Sequence, residues 1–122
     1  MLAWSTIAYG AVVSGILAAA AAALLTRTRR IQVALTVGLC ALLGPFAWNA
    51  ILRATHAREF FTDAPLVVLP ASWQDTGSGV FTIAMAALAL GLGPLAREPA
   101  RRAAVLACVA GLIAFAVDVY LY

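Results

Sequence analysis

The chain contains no lysine, a single histidine and only two cysteines, and its few ionisable residues avoid long stretches of the sequence. Only 11% of the 122 residues are charged, against 65% hydrophobic. With a mean hydropathy of +1.00, that balance excludes a soluble domain, whose surface needs polar cover, and leaves no length for one beside a membrane domain. Cys40 and Cys108 both fall inside apolar segments, where a thiol behaves as a small apolar side chain. They do not read as a disulfide framework, and without nearby histidines they make no zinc site. One histidine cannot supply an HExxH-type ligand pair, and no phosphate-binding loop or activated-nucleophile motif is present. Composition therefore makes an enzyme the minority reading and leaves any cofactor unknown.

What is present is four apolar stretches, at about residues 3–25, 31–52, 73–96 and 103–122. Each is close to the ~20 residues needed to cross a bilayer as a helix. The predicted fold is an all-α integral membrane protein, one four-helix transmembrane domain covering residues 1–122. The net charge of +3 does not mark a nucleic-acid partner, because the arginines divide by topology rather than gathering in one patch. Arg27, Arg29 and Arg30 lie between the first two helices and Arg97, Arg101 and Arg102 between the last two; the central link holds only Arg53 and Arg58. The positive-inside rule then places the short links in the cytoplasm and both termini outside. Residues 1–6 lack the basic region of a secretory signal, so the first helix is expected to be retained. The alanine- and arginine-rich, lysine-free composition suggests a bacterial gene of high GC content, and hence a multi-pass protein of the bacterial cytoplasmic (inner) membrane.

The links of residues 26–30 and 97–102 are too short for anything except antiparallel hairpins. Gly91, Gly93 and Pro94 loosen or end helix three. The outer loop, residues 53–72, is expected to be structured: Phe60, Phe61 and Leu66 to Leu69, between Pro65 and Pro70, suit a segment resting on the bundle or dipping into the membrane interface. Ser72 followed three residues later by Asp75 resembles a capping box and starts helix three near Trp73. The two hairpins share no residue-level similarity, so an inverted-repeat transporter is not supported. Nor does helix one carry the membrane-embedded glutamate of small multidrug transporters, and the glycine-rich and phenylalanine motifs of fluoride channels cannot be placed.

Spacings of three and four put Thr6, Gly10, Ser14, Ala18 and Ala22 on one face of helix one. Asp75, Gly79, Thr82, Ala86, Ala89 and Gly93 share a face of helix three, and Ala107, Gly111, Ala114, Asp118 and Tyr122 a face of helix four. Small residues permit close approach between membrane helices, so these faces should point inward. In helix two, Pro45 interrupts the backbone ladder, and Asn49, Arg53 and His56 follow at spacings of four and three. If the faces converge, Asn49, Arg53, His56, Asp63, Asp75 and Asp118 form a polar cluster at the outer end. Asp118, the one ionisable residue inside an apolar segment, needs a partner. Arg53 could fix helix order as its ion pair, or the cluster could line an outward-facing site. His56, Asp63 and Asp75 are the candidate metal ligands. Trp4, Trp48, Trp73, Tyr9, Tyr120 and Tyr122 read as an interfacial aromatic belt, with a ligand-stacking ring as the other possibility.

Three functions follow as expectations. The leading one is an accessory or scaffolding subunit, with the lipid bilayer and other membrane subunits or further copies of itself as partners. The second is a small transporter or channel using Asn49, Arg53 and Asp118. The third is a membrane enzyme or metal protein using His56, Asp63 and Asp75.

Overall fold

The computed structural model describes residues 2–121. Four long helices, α1 (Trp4–Leu25), α2 (Arg30–Ala54), α3 (Trp73–Leu92) and α4 (Ala100–Leu121), are joined by two short links and one longer one. The longer link carries a 3₁₀ turn at Arg58–Phe61, and no strand is present among the described residues. All four helices are long and apolar enough to cross a membrane. The architecture thus fits a multi-pass membrane protein.

The inward faces follow helical periodicity in the middle of each helix but not at its ends: Thr6 and Ala89 are half-buried, and Gly93 lies past the end of α3 and is exposed. Gly10, Ser14, Ala18 and Ala22 are buried on α1; Asp75, Gly79, Thr82 and Ala86 on α3; and Ala107, Gly111, Ala114 and Asp118 on α4. Tyr122, assigned to the same α4 face, lies outside the described residues. α1 packs most extensively on α2 and α3 on α4, with α2 also against α3 and only marginal contact between α2 and α4. Each main seam is closed by a pair of facing glycines. A Cβ added at Gly15 would lie 3.0 Å from the Gly38 carbonyl oxygen, and one at Gly79 3.0 Å from that of Gly111. The backbones therefore touch directly, and only the missing side chains permit it. Toward the arginine-rich end the core turns to larger groups, with Val33, Val37, Leu90, Leu95 and Leu106 filling the space between helices.

Helix ends depart from the expected bounds for identifiable reasons. α3 stops at Leu92 rather than near residue 96. Pro94 has no N–H to continue the ladder; the Leu95 N–H takes the Leu90 carbonyl instead, at 2.9 Å, and carries the chain out of the helix. α4 begins at Ala100, three residues earlier than the hydropathy pattern implies, directly behind Pro99, whose carbonyl accepts from the Arg102 N–H at 3.0 Å. That extra turn places Arg101 and Arg102 on a helix N-terminus, where cations are disfavoured by the dipole. The Glu98–Arg102 ion pair at 3.4 Å, the only salt bridge among the described residues, offsets this. Arg29, in the left-handed conformation at φ 52°, donates from Nη1 to the Pro94 carbonyl and ties the two short links together.

α2 runs unbroken through Pro45 to Ala54. It ends in a Schellman-type cap: His56 is left-handed at φ 54°, its N–H bonds the Arg53 carbonyl and the Ala57 N–H bonds the Leu52 carbonyl. The loop that follows behaves in two ways. Phe60 and Phe61 are half-buried, Phe60 edge-on to Trp48 at 6.0 Å, as a segment resting on the bundle should be. Leu66 to Leu69 instead stand away from the protein, with Val67 99% and Val68 84% exposed. This knuckle is closed at its base by the Ala64 N–H on the Ala71 carbonyl, 2.8 Å, and held by the Tyr120 hydroxyl on the Val68 carbonyl, 2.8 Å.

Candidate functional site

The chemistry of the loop end is organised by the first two turns of α3. Ser72 and Asp75 form the capping box: the Asp75 N–H donates to Ser72 Oγ, and Asp75 Oδ2 accepts from the Ser72 N–H at 2.7 Å and its hydroxyl at 3.0 Å. These bonds satisfy free N–H groups at the start of the helix and fix its rotation. Gln74 is thereby turned inward, where it is 2% exposed. Its side-chain Nε2 reaches three acceptors from three helices: Asp118 Oδ2 of α4 at 3.1 Å, Ser78 Oγ of α3 at 3.3 Å and Asn49 Oδ1 of α2 at 3.4 Å. The Gln74 carbonyl in turn accepts from Trp48 Nε1 at 3.0 Å. Asn49 Nδ2 donates to the Pro45 carbonyl at 2.8 Å, so the amide is held from behind by the proline turn. Beside this network a Cβ on Gly77 would run into the Trp48 ring, which accounts for a glycine in the second turn of a helix.

Asp118 is buried as expected, at 2% exposure. Arg53 is not its ion-pair partner. Its guanidinium donates from Nη2 to the Leu2 carbonyl and lies over the Trp4 ring, 4.6 Å from the centroid. The reason is the helix arrangement: the last turn of α2 points toward the start of α1, and α2 meets α4 only marginally. A neutral amide therefore takes the place next to the carboxylate that Arg53 was expected to fill.

A cavity of about 300 Å³ opens above Asp118, walled by Leu2, Phe61, Asp63, Pro70, Ser72, Gln74, Asp75 and Val119 as well. Three carboxylates border it, and none of its walls is an arginine or the histidine. The structure thus brings Asp63, Asp75 and Asp118 to one space, with Asn49 behind Gln74, and leaves Arg53 and His56 out of it. His56 is exposed and serves as the helix cap of α2. Among the described residues no three His, Cys, Asp or Glu side chains are grouped to hold a metal. The His56, Asp63 and Asp75 set is accordingly not assembled.

Gln74 and Ser78 are the functional-looking residues that ionisable groups alone do not reveal. Their signal is the row Gln74, Ser78, Thr82, polar residues at spacings of four on an otherwise apolar helix, all three buried. The aromatic residues divide by use: Trp48 is half-buried between Phe60 and Phe81, whereas Trp73, Tyr9 and Tyr120 are exposed at 67%, 57% and 58%. The chain matches no family model, and no curated protein or solved structure is similar to it.

Proposed function

We propose that this chain is an accessory or scaffolding subunit of a larger assembly in a bacterial cytoplasmic membrane. The reading takes α1–α2 and α3–α4 as antiparallel hairpins with the arginine-rich links inside and both termini outside. The observation that carries it is on α4, which has small residues on two sides. One side, Ala107, Gly111 and Ala114, is consumed inside the bundle. The other, Ala104, Cys108 and Ala116, is exposed around Leu112. Ala104 and Cys108, four apart, allow a second membrane helix to approach closely there, with Leu112 and Ala116 continuing the face one and two turns on, while a face meeting only lipid gains nothing from small residues.

The test is native mass spectrometry of the chain extracted from its host membrane in mild detergent, with cross-linking through Cys108, which is exposed whereas Cys40 is buried. A defined complex that is lost when Ala104 and Ala116 are both changed to isoleucine supports the reading. A monomer unaffected by those changes overturns it.

The acidic cavity favours a second reading, a small transporter whose outward site holds a cationic solute. Three carboxylates, Asp63, Asp75 and Asp118, border the cavity, and carboxylate oxygens suit a cationic solute. On that reading Asp118→Asn abolishes flux while leaving expression intact, and unchanged flux removes the idea.

A further inference from the structure

At the opposite end of the molecule a second recess, of about 230 Å³, lies between the end of α1 and the start of α4. Its walls are Leu25, Thr26, Arg101, Arg102, Val105 and Leu106. We propose that it is a binding site for an anionic phospholipid, with the phosphate against Thr26, Arg101 and Arg102 and an acyl chain along Leu25 and Val105.

Three independent features converge there. Arg101 and Arg102 occupy the first turn of α4, so their charge is added to the free N–H groups and positive dipole end of that helix. Within the protein this is an unfavourable place for two cations, only partly relieved by Glu98, and an external anion resolves it. The second feature is Thr26. It is 0% exposed, and its hydroxyl has no hydrogen-bond partner among the described residues. A buried hydroxyl left without a partner is costly, and a phosphate oxygen at the recess would accept from it. The Thr26 carbonyl is already bonded by Arg30 Nε at 3.0 Å, which brings a third guanidinium beside the same residue. The third feature is apolar. Leu25 is 58% and Val105 51% exposed, so the recess continues from its charged mouth onto the side of the helices that faces lipid. Free phosphate would use the charged groups alone; a phospholipid uses both halves. Basic recesses between membrane helices on the arginine-rich side are suited to anionic headgroups.

The inference rests on the chain spanning a bilayer, and the experiment separates the two. The full chain is first floated with phosphatidylcholine vesicles; failure to float overturns the membrane reading itself. The floated protein is then taken into detergent, and retention of phosphatidylglycerol against phosphatidylcholine is measured by native mass spectrometry, with inorganic phosphate as a third probe. Phosphatidylglycerol is expected to be retained in preference, with a loss of about fivefold for each of Arg101→Gln and Arg102→Gln, the worth of one arginine near an anionic headgroup. Thr26→Val is expected to weaken retention while melting no lower than the parent in lipid-free detergent, because it removes an unpartnered hydroxyl. Arg97→Gln, exposed at the same end but not part of the recess, is expected to leave retention unchanged. Equal retention of the two lipids, or an equal loss in the Arg97 variant, overturns the site. Inorganic phosphate binding as tightly as phosphatidylglycerol overturns the assignment to lipid.

Discussion

The α1–α2 seam and the α3–α4 seam begin from the same device and finish differently. Both bring backbones together through facing glycines, Gly15 with Gly38 and Gly79 with Gly111. The first then continues as a dry contact of alanines and valines, Ala18 and Ala22 against Val33 and Val37. The second is fastened at its loop end by Gln74 on Asp118. Shape alone lets two helices slide or rotate past one another at modest cost, whereas a hydrogen bond between named atoms allows one register. The second seam is also the one beside the acidic cavity, and its Gln74–Asp118 bond joins side chains of the two helices themselves, whereas Arg53 ties α2 to the Leu2 carbonyl just before α1.

The comparison breaks most sharply at Gln74. Gln74→Leu removes the donor shared by Asp118, Asn49 and Ser78, and is expected to destabilise the protein by about 2–3 kcal/mol, the cost of deleting one buried donor that serves three acceptors. Unfolding in detergent with a graded denaturant measures it; a change below about 1 kcal/mol, the ordinary effect of a point substitution, would mean the lock adds little to the glycine contact. Next are the seams themselves. Gly111→Ala places a Cβ 2.9 Å from the Gly79 carbonyl oxygen and also against Ile83; Gly38→Ala places one 2.9 Å from the Ala19 Cβ and 3.0 Å from the Gly15 carbonyl oxygen. Each overpacked contact should cost about 1–3 kcal/mol. The α1–α2 seam is tied only at its loop end, by Arg53 on the Leu2 carbonyl just before α1, so Gly38→Ala, well away from that tie, is expected to relax by helix displacement and to fall at the low end. Equal costs would show that backbone contact, not the lock, sets rigidity in both. The smallest effect is Trp48→Phe, which deletes one N–H to the Gln74 carbonyl and keeps most of the ring packing against Phe81. About 1 kcal/mol is expected, with the acidic cavity otherwise intact.

How far the sequence carries this picture depends on what kind of signal each residue gives. Four apolar runs and the spacing of small residues determine the helices and their buried faces, because a glycine or alanine stripe has one physical use between closely packed helices. The Ser72–Asp75 cap was legible for a similar reason: both partners lie within one turn, so local geometry decides the contact. The partner of Asp118 was not. Arg53 carries the opposite charge and matches in depth, yet depth says nothing about which neighbour a helix faces, and α2 turns that arginine to the start of α1. Gln74 is uncharged and gives no ionisable signal, although its spacing from Ser78 and Thr82 marks the row. The loop between α2 and α3 is half legible: the aromatic pair packs, while the four aliphatic residues between the prolines leave the surface.

The Gln74–Asp118 contact spans 44 positions of the chain, and its second member lies in the last turn of the last helix. Synthesis therefore delivers the two halves of the lock far apart in time. Two of the three acceptors of the Gln74 amide, Asn49 and Ser78, precede Asp118 in the chain by 69 and 40 positions. Among the described residues Asp118 is the last of the network's members along the chain, so one carboxylate near the end of α4 joins that helix to a set of contacts otherwise made between α2 and α3 alone.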